Sequence, residues 1–310
     1  MEINQQKRIP GNEKLKKEEI GMHTIDNGIL SVSAEDRGAQ LASVRCGGHE
    51  YLWQRDPAFW RDSAPNLFPY IARLTDGKYF AEEKQYEMKI HGFVKYTDLK
   101  LTDRTQTSMT FELTDNEETR KQYPWAFLYR ISYTLEGAKL RVNVSVTNRD
   151  ERKMYFGEGG HPGFAIPLAP GLSYEDYYVA LPEAEEPVRI GFSEDCFRNG
   201  ADAPYSLKDG KRIPLHHGLF AQDAIVLKNA GHCAVIGSDL NPAKLKVTWT
   251  HPFLGIWSKP FSEAPYVCIE PWGSLPSRKG RIEHFETQED LNVLLPGEIY
   301  ESEWAVEIQS

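Results

Sequence analysis

The sequence is dominated by short segments that alternate apolar and polar residues and are separated by tight-turn residues. In the segment 140–147, LRVNVSVT, every second residue is apolar, so an extended strand would have one apolar and one polar face. Asn27-Gly28 and Glu136-Gly137 lie between two such segments each, and an Asn-Gly pair tolerates the positive φ angles of a hairpin turn. Further strands are predicted at 224–227, 233–236, 245–249, 266–269 and 300–308.

The sequence shows no convincing long amphipathic helix, and 19 prolines and 24 glycines interrupt it throughout. No fixed-period repeat and no low-complexity linker divides it. We therefore predict an all-β protein, a large antiparallel β sandwich with long loops. Residues 1–22 are polar and rich in Lys and Glu, which predicts an N-terminal extension. Residues 23–310 are predicted to form a single domain.

Composition excludes several kinds of partner. The net charge of −9 argues against nucleic acid and anionic membranes, because both require a basic face. The first 20 residues lack the apolar core of a signal peptide, and no apolar run approaches the ~18 residues of a membrane span. The four cysteines are widely spaced, which predicts buried thiols in a reducing compartment. We expect a soluble, cytoplasmic protein that is a monomer or a homodimer.

Four segments place an ionisable residue among glycines, prolines and aromatic residues. They are centred on Arg73 (PYIARL), His91 (IHGF), His161 (GGHPGF) and Glu270 (CIEPWG). Two histidines and a glutamate form a general acid/base set. Structural explanations stand beside this one: either histidine can be a hydrogen-bonded core residue, Arg73 can pair with a buried acid, and Glu270 can pair with a residue such as Arg278.

Other kinds of chemistry lack their motifs. No two candidate ligands have the spacing of a zinc site, and no GxSxG, GxGxxG or P-loop pattern occurs. We therefore predict proton transfer with neither a cofactor nor a metal ion.

In their order and spacing these motifs resemble the aldose 1-epimerase (galactose mutarotase) family, and more closely its LacX-like branch. The resemblance extends from about residue 24 to 308 and includes the segments EYLWQ (50–54), NLFPYIARL (66–74), LGIWSKP (254–260) and LPGE (295–298). It implies a twisted β supersandwich with a site in a groove. It also implies that the protein interconverts the α and β anomers of a sugar such as an aldohexose, without a cofactor.

The resemblance also implies individual roles. Glu270 matches the family's catalytic base and His161 its catalytic acid, whereas His91 and Arg73 match substrate-binding residues. Asp223, in QDAIVL, matches an aspartate that binds sugar hydroxyls. The chain departs from the galactose-specific branch: Ile71-Ala72 stands where that branch has Asn before the arginine, Pro162-Gly163-Phe164 replaces its aromatic loop, and His251 lies near its sugar-contacting glutamine. These departures put galactose itself in doubt.

Three other functions compete with this interpretation. A glycoside hydrolase needs two carboxylates roughly 5–10 Å apart, which Glu270 and Asp223 would have to supply. A sugar-binding or regulatory protein would use the same scaffold without turnover. A sugar-phosphate mutarotase would need basic residues beside Arg73, and the candidates are Arg45, Arg61 and Lys95.

Overall fold

The computed structural model describes residues 21–309, so residues 1–20 of the predicted extension lie outside the described residues. The described chain is mostly β-strand. Numbered in chain order, its strands are β1 Met22–Asp26, β2 Leu30–Glu35, β3 Leu41–Cys46, β4 His49–Glu50, β5 Asn66–Leu67, β6 Lys78–Ala81, β7 Lys84–Glu87, β8 Lys100–Arg104, β9 Ser108–Thr114, β10 Phe127–Glu136, β11 Lys139–Asn148, β12 Met154–Phe156, β13 Gly159–Gly160, β14 Gly163–Ala165, β15 Tyr177–Ala180, β16 Val188–Arg189, β17 Ala203–Pro204, β18 Arg212–Pro214, β19 Ile225–Lys228, β20 Cys233–Ser238, β21 Asn241–Trp249, β22 Phe253–Trp257, β23 Tyr266–Trp272, β24 Glu283–His284, β25 Asn292–Leu294 and β26 Ile299–Gln309.

Helical structure is confined to short segments. The α-helix α1 spans Glu117–Gln122 and is capped by the Asn116 side chain. Single 3₁₀ turns are found at Thr75–Gly77, Val94–Tyr96, Tyr174–Asp176, His217–Phe220 and Phe285–Thr287. No helix in the part of the chain that the structure describes has the length and apolar character needed to cross a bilayer.

Two large antiparallel sheets form the body of the fold. One has nine strands in the order β18-β15-β20-β21-β26-β11-β10-β9-β8. The other has eight, in the order β17-β16-β19-β22-β23-β13-β5, with β14 also paired to β23. Smaller sheets complete the structure: β1 to β4 in order, β12 with β25, and β24-β6-β7.

The hydrophobic core includes side chains from both large sheets. Val142 and Val144 of β11 belong to the same buried cluster as Val267 and Ile269 of β23. This arrangement confirms the predicted antiparallel β sandwich. The predicted hairpin at residues 24–33 is also confirmed, because β1 pairs with β2 around Gly28, whose φ is 83°.

Strand β23 is buried along its whole length, so both of its faces are covered. Alternate residues point to opposite faces of a strand. Val267 and Ile269 therefore face the sandwich core, whereas Tyr266 and Cys268 belong to a separate cluster on the other face. Glu270 shares that second face. The sequence placed Glu270 just after the strand, and the structure corrects this: the pairing of β23 continues to Trp272.

Candidate functional site

A cavity of about 230 Å³ lies over the second face of β23. Ligand pockets for drug-sized molecules are typically about 300–1,000 Å³, so this one suits a small ligand. All five predicted site residues line it: Arg73, His91, His161, Asp223 and Glu270. Segments far apart in the sequence are thus brought to one place by the sheet.

Glu270 is 1% exposed, and its carboxylate accepts a 3.1 Å hydrogen bond at Oε2 from the indole Nε1 of Trp272. Trp272 lies two residues further along β23, on the same face. The second oxygen, Oε1, is buried and has no hydrogen-bond partner among the described residues. A buried carboxylate oxygen without a donor is costly, so a ligand that donates a proton or a hydrogen bond would be favoured there.

His161 reaches the same carboxylate from a different part of the sheet. Strand β13 passes so close to β23 that a Cβ at Gly159 would lie 2.6 Å from the carbonyl oxygen of Pro271, which explains a glycine there. His161 follows, is 8% exposed, and brings Nε2 to 3.2 Å from Oε2 of Glu270. Its Nδ1 is buried without a partner in the described structure.

Burial governs the protonation of this pair. It raises the pKa of Glu270 well above its ordinary value, with a smaller contribution from the charge of Asp223. Burial and then the charge of Lys95 lower the pKa of His161 to about 3. Each group alone therefore favours its neutral form. At a separation of 3.2 Å, a single proton held by the pair can reside on either group.

His91 is held by a close backbone contact. A Cβ at Gly92 would lie 2.2 Å from the carbonyl oxygen of Phe68, and His91 itself has a φ of 64°. The backbone N–H of Ala72 donates to His91 Nδ1 at 3.1 Å. Nδ1 is therefore unprotonated, and the neutral ring carries its proton on Nε2 as a donor. Burial, and the nearby His161, lower the pKa of His91 well below its ordinary value, which favours this neutral state.

Arg73 is exposed at the cavity wall, and no carboxylate of residues 21–309 forms an ion pair with its side chain. The alternative of a buried acid partner is therefore wrong. Arg73 and Asp223 do not pair with each other either. Asp223 instead accepts, at Oδ2, a 2.7 Å hydrogen bond from the Cys196 thiol. The alternative partner of Glu270 is also excluded, because Arg278 lies beside Glu283 and Glu289.

Cys196 corrects the prediction of four buried thiols. Cys233 and Cys268 are buried, whereas Cys46 and Cys196 are half-buried, and all four are free. Burial and the Asp223 carboxylate raise the pKa of Cys196 to about 12. The thiol therefore stays protonated and donates a hydrogen bond to Asp223.

His251, which the sequence placed near a sugar contact, lies outside the cavity. It is 2% exposed, and its Nε2 is 3.0 Å from Oε2 of Glu158, itself 0% exposed. The same oxygen accepts hydrogen bonds from Tyr300 at 3.2 Å and Ser302 at 2.7 Å. Both of these donors are on β26, so the Glu158–His251 pair ties the nine-stranded sheet to the segment that leads into β13.

One set of residues in the described chain has atoms close enough to hold a metal ion. His161, Cys268 and Glu270 each place one ligand atom within 4.8 Å of the other two. Nitrogen, sulfur and oxygen donors would suit a zinc ion. Sequence spacing could not indicate this set, because His161 follows β13 and is far in the sequence from Cys268 and Glu270 of β23. Burial and the neighbouring Glu270 raise the pKa of the Cys268 thiol far above its ordinary value, which favours a neutral thiol packed in the sheet.

Several cavity residues were not identified from the sequence. The ring of Trp60 lies 5.0 Å from that of His161, and the ring of Trp257 lies 5.6 Å from it on another side. Lys95, which the sequence offered only as a candidate for binding a phosphate, also lines the wall and donates to Asp62 at 2.8 Å. Trp272 could have been predicted from the sequence, because alternate residues of a strand share a face and residue 272 therefore lies beside residue 270. Trp60 and Cys196 lie in loops whose course no local pattern indicates.

Comparison with known proteins gives one consistent result. The family model described as aldose 1-epimerase matches residues 21–307. Protein LacX of Lactococcus lactis subsp. lactis is 31% identical, over 88% of this chain and 94% of the relative. The structure of a galactose mutarotase related enzyme from Lactobacillus acidophilus superposes with a TM-score of 0.88 and 34% identity, covering 94% of this chain and 98% of that one. A galactose mutarotase-like protein from Lactobacillus casei gives 0.87 and 30%, covering 93% and 100%.

Proposed function

Because the chain belongs to the aldose 1-epimerase family, we propose that it interconverts the α and β anomers of a free aldohexose. The observation that carries the proposal is the contact between Glu270 and His161. A carboxylate and an imidazole lie 3.2 Å apart at the wall of a small cavity, and each has one atom without a partner in the described chain. Ring opening needs a base and an acid on either side of the anomeric carbon, and this pair supplies both.

In the proposed reaction, Glu270 takes the proton of the anomeric O1 hydroxyl while His161, carrying the proton of the pair, gives it to the ring oxygen O5. The C1–O5 bond breaks and C1=O1 becomes the carbonyl of the open-chain aldehyde. Rotation about C1–C2 then presents the other face of the carbonyl. In the reverse transfers Glu270 returns its proton to O1 and His161 takes the proton back from O5, so the ring closes as the other anomer and nothing is consumed.

The remaining cavity residues would orient the sugar. His91 donates from Nε2, since its Nδ1 accepts the Ala72 N–H. The unpaired guanidinium of Arg73 supplies donors for hydroxyl oxygens, and the Asp223 carboxylate accepts from hydroxyl groups. Trp60 and Trp257 offer apolar faces on which the C–H face of a sugar ring can pack.

Charge favours a neutral sugar over a sugar phosphate. A phosphate is typically bound by several cations that are not already paired. Of the basic candidates, Lys95 lines the cavity but is paired with Asp62, and Arg45 is paired with Glu50. Arg61 is exposed and does not line the cavity. Among the described residues that line the cavity, Arg73 would then be the one cation without an ion pair.

The test follows optical rotation after pure α-anomers of glucose, galactose and other aldohexoses are dissolved with and without the protein. We expect faster relaxation to an unchanged endpoint. The methyl α-glycoside of the same sugar, which cannot open, serves as control and should show no change. Saturable binding without acceleration would instead indicate a binding protein, and release of reducing sugar from an aryl glycoside would indicate a hydrolase. The cytoplasmic location and the monomeric or dimeric state stay predictions.

A further inference from the structure

A second, larger cavity adjoins the site. It measures about 700 Å³, against about 230 Å³ for the first. Phe192, Cys196, Gln222 and Asp223 line both cavities, so the two lie on either side of the same few residues. A monosaccharide held at Glu270 and His161 leaves this second space unused.

The wall of the second cavity is preformed. The loop at 191–201 is closed by its own hydrogen bonds: Asn199 donates from Nδ2 to the Phe192 carbonyl at 2.9 Å and accepts at Oδ1 from the Ala201 N–H at 2.9 Å. Ser193 N–H donates to the Phe197 carbonyl at 2.9 Å. A wall ordered in this way does not need to fold around a ligand, which lowers the entropic cost of binding.

The polar groups of this cavity suit a neutral, hydroxyl-rich ligand. Arg189 is half-buried, Glu194 and Gln222 are exposed, and within residues 21–309 none of the three side chains forms a hydrogen bond or an ion pair. Together these three side chains offer both hydrogen-bond donors and hydrogen-bond acceptors. Because Glu194 and Asp223 are negative and Arg189 is positive, an anionic ligand would gain little here, whereas sugar hydroxyls can bond to all of them.

An exposed aromatic side chain lines the second cavity. Phe261 is 88% exposed, and it is the one aromatic residue among the large apolar side chains that are exposed in the described chain. Its φ of 53° is unfavourable for a bulky residue, and such strain tends to persist at functional sites. Phe261 lies in the turn between β22 and β23, the strands that carry Trp257 and Glu270. An exposed ring at this place can pack against the apolar face of a sugar ring.

From these observations we infer that the protein prefers, over free monosaccharides, the reducing-end unit of a neutral disaccharide or short oligosaccharide. The unit that carries the free anomeric centre lies against Glu270 and His161. The next sugar unit lies in the second cavity, bonds to its polar wall and stacks on Phe261. This inference rests on the proposed mutarotase function and names its substrate class.

The experiment compares D-glucose and D-galactose with the 1→3, 1→4 and 1→6 disaccharides that carry either sugar at the reducing end. Mutarotation of each is followed by polarimetry with wild type, Phe261→Ala and Phe261→Trp. At least one disaccharide should give a higher kcat/KM than its monosaccharide. Phe261→Ala should raise the KM of that disaccharide about 2- to 10-fold and leave the monosaccharide unchanged, and Phe261→Trp should retain the wild-type preference.

Leu240→Ala is the matched control, because Leu240 is 68% exposed and lines neither cavity. It should leave all substrates unchanged. If the monosaccharides are accelerated but no disaccharide is preferred, or if Phe261→Ala affects both classes equally, the inference is wrong while the proposed function holds. If no sugar is accelerated, the proposed function fails and the inference fails with it.

Discussion

The molecule contains two buried glutamate–histidine pairs, and they differ in what surrounds them. Glu270 and His161 lie 3.2 Å apart at the wall of a cavity. Glu158 and His251 lie 3.0 Å apart inside the sandwich. The residue types, the burial and the contact distance are nearly the same, so none of these distinguishes a reactive pair from a structural one.

The number of hydrogen-bond donors to each carboxylate and access to the cavity distinguish them. Oε2 of Glu158 accepts hydrogen bonds from Tyr300 and Ser302 in addition to the contact with His251. Burial and the nearby Glu158 raise the pKa of Tyr300, so its hydroxyl keeps its proton and remains a donor. Among the described residues, Oε2 of Glu270 has Trp272 as its one further donor. In both pairs Oε1 of the glutamate is buried without a partner in the described chain. Glu270 lines the cavity, where a ligand can reach this oxygen, whereas Glu158 does not line it.

The comparison is tested most strongly by Glu270→Gln and His161→Asn. Each removes one proton carrier and keeps the shape of the side chain, so mutarotation should fall by about 10²–10⁴-fold. Polarimetry gives the rate, and thermal unfolding checks that both variants remain folded. Near wild-type activity in folded Glu270→Gln would show that the base is elsewhere.

His251→Asn makes the corresponding change in the sandwich pair. Removing one partner of a buried hydrogen bond leaves the other partner unsatisfied, which typically costs about 1–3 kcal/mol, so the free energy of unfolding should fall by that order. The mutarotation rate of the folded fraction should not change, because His251 lies outside the cavity. Denaturant unfolding measures the stability, and a large loss of rate at full stability would place His251 in the reaction.

Lys95→Met addresses the pH dependence of the reactive pair. The pair is inactive when doubly protonated, and this form appears as the pH falls through the pKa of His161. Since the charge of Lys95 lowers that pKa, its removal should raise it. The acid limb of the kcat/KM profile should then move to higher pH. Lys95→Arg retains the charge and should leave the limb in place, and a shift to lower pH in Lys95→Met would contradict the assignment.

The sequence predicted the fold well because the fold follows from local alternation. The hairpin of β10 and β11 is found where the period-two pattern and Glu136-Gly137 predicted it. Four of the five candidate site residues were singled out because each lies among glycines, prolines and aromatic residues, and the family resemblance added Asp223. The structure brings all five to one cavity, whereas their roles in the reaction stay predictions.

Partners across the fold could not be predicted in the same way. Within residues 21–309 Arg73 forms no ion pair, Asp223 binds Cys196, and His251 binds Glu158, which is 93 residues away in the sequence. Such contacts depend on how strands from distant segments pair, and no periodicity within one segment contains that information. Trp272 is the exception, because its relation to Glu270 lies within a single strand.

Of these variants, Trp272→Phe should change the activity least, and it separates the two glutamate–histidine pairs most directly. The pair is also inactive when it has lost its proton, and this form appears as the pH rises through the raised pKa of Glu270. The indole N–H lowers that pKa, so its removal should raise the pKa further and move the alkaline limb to higher pH. Ser302→Ala, which removes one donor from Glu158, should cost about 1–3 kcal/mol of stability and leave the limb in place. If Ser302→Ala moves the limb as far as Trp272→Phe does, the titrating carboxylate is Glu158, and the assignment of the two pairs is reversed.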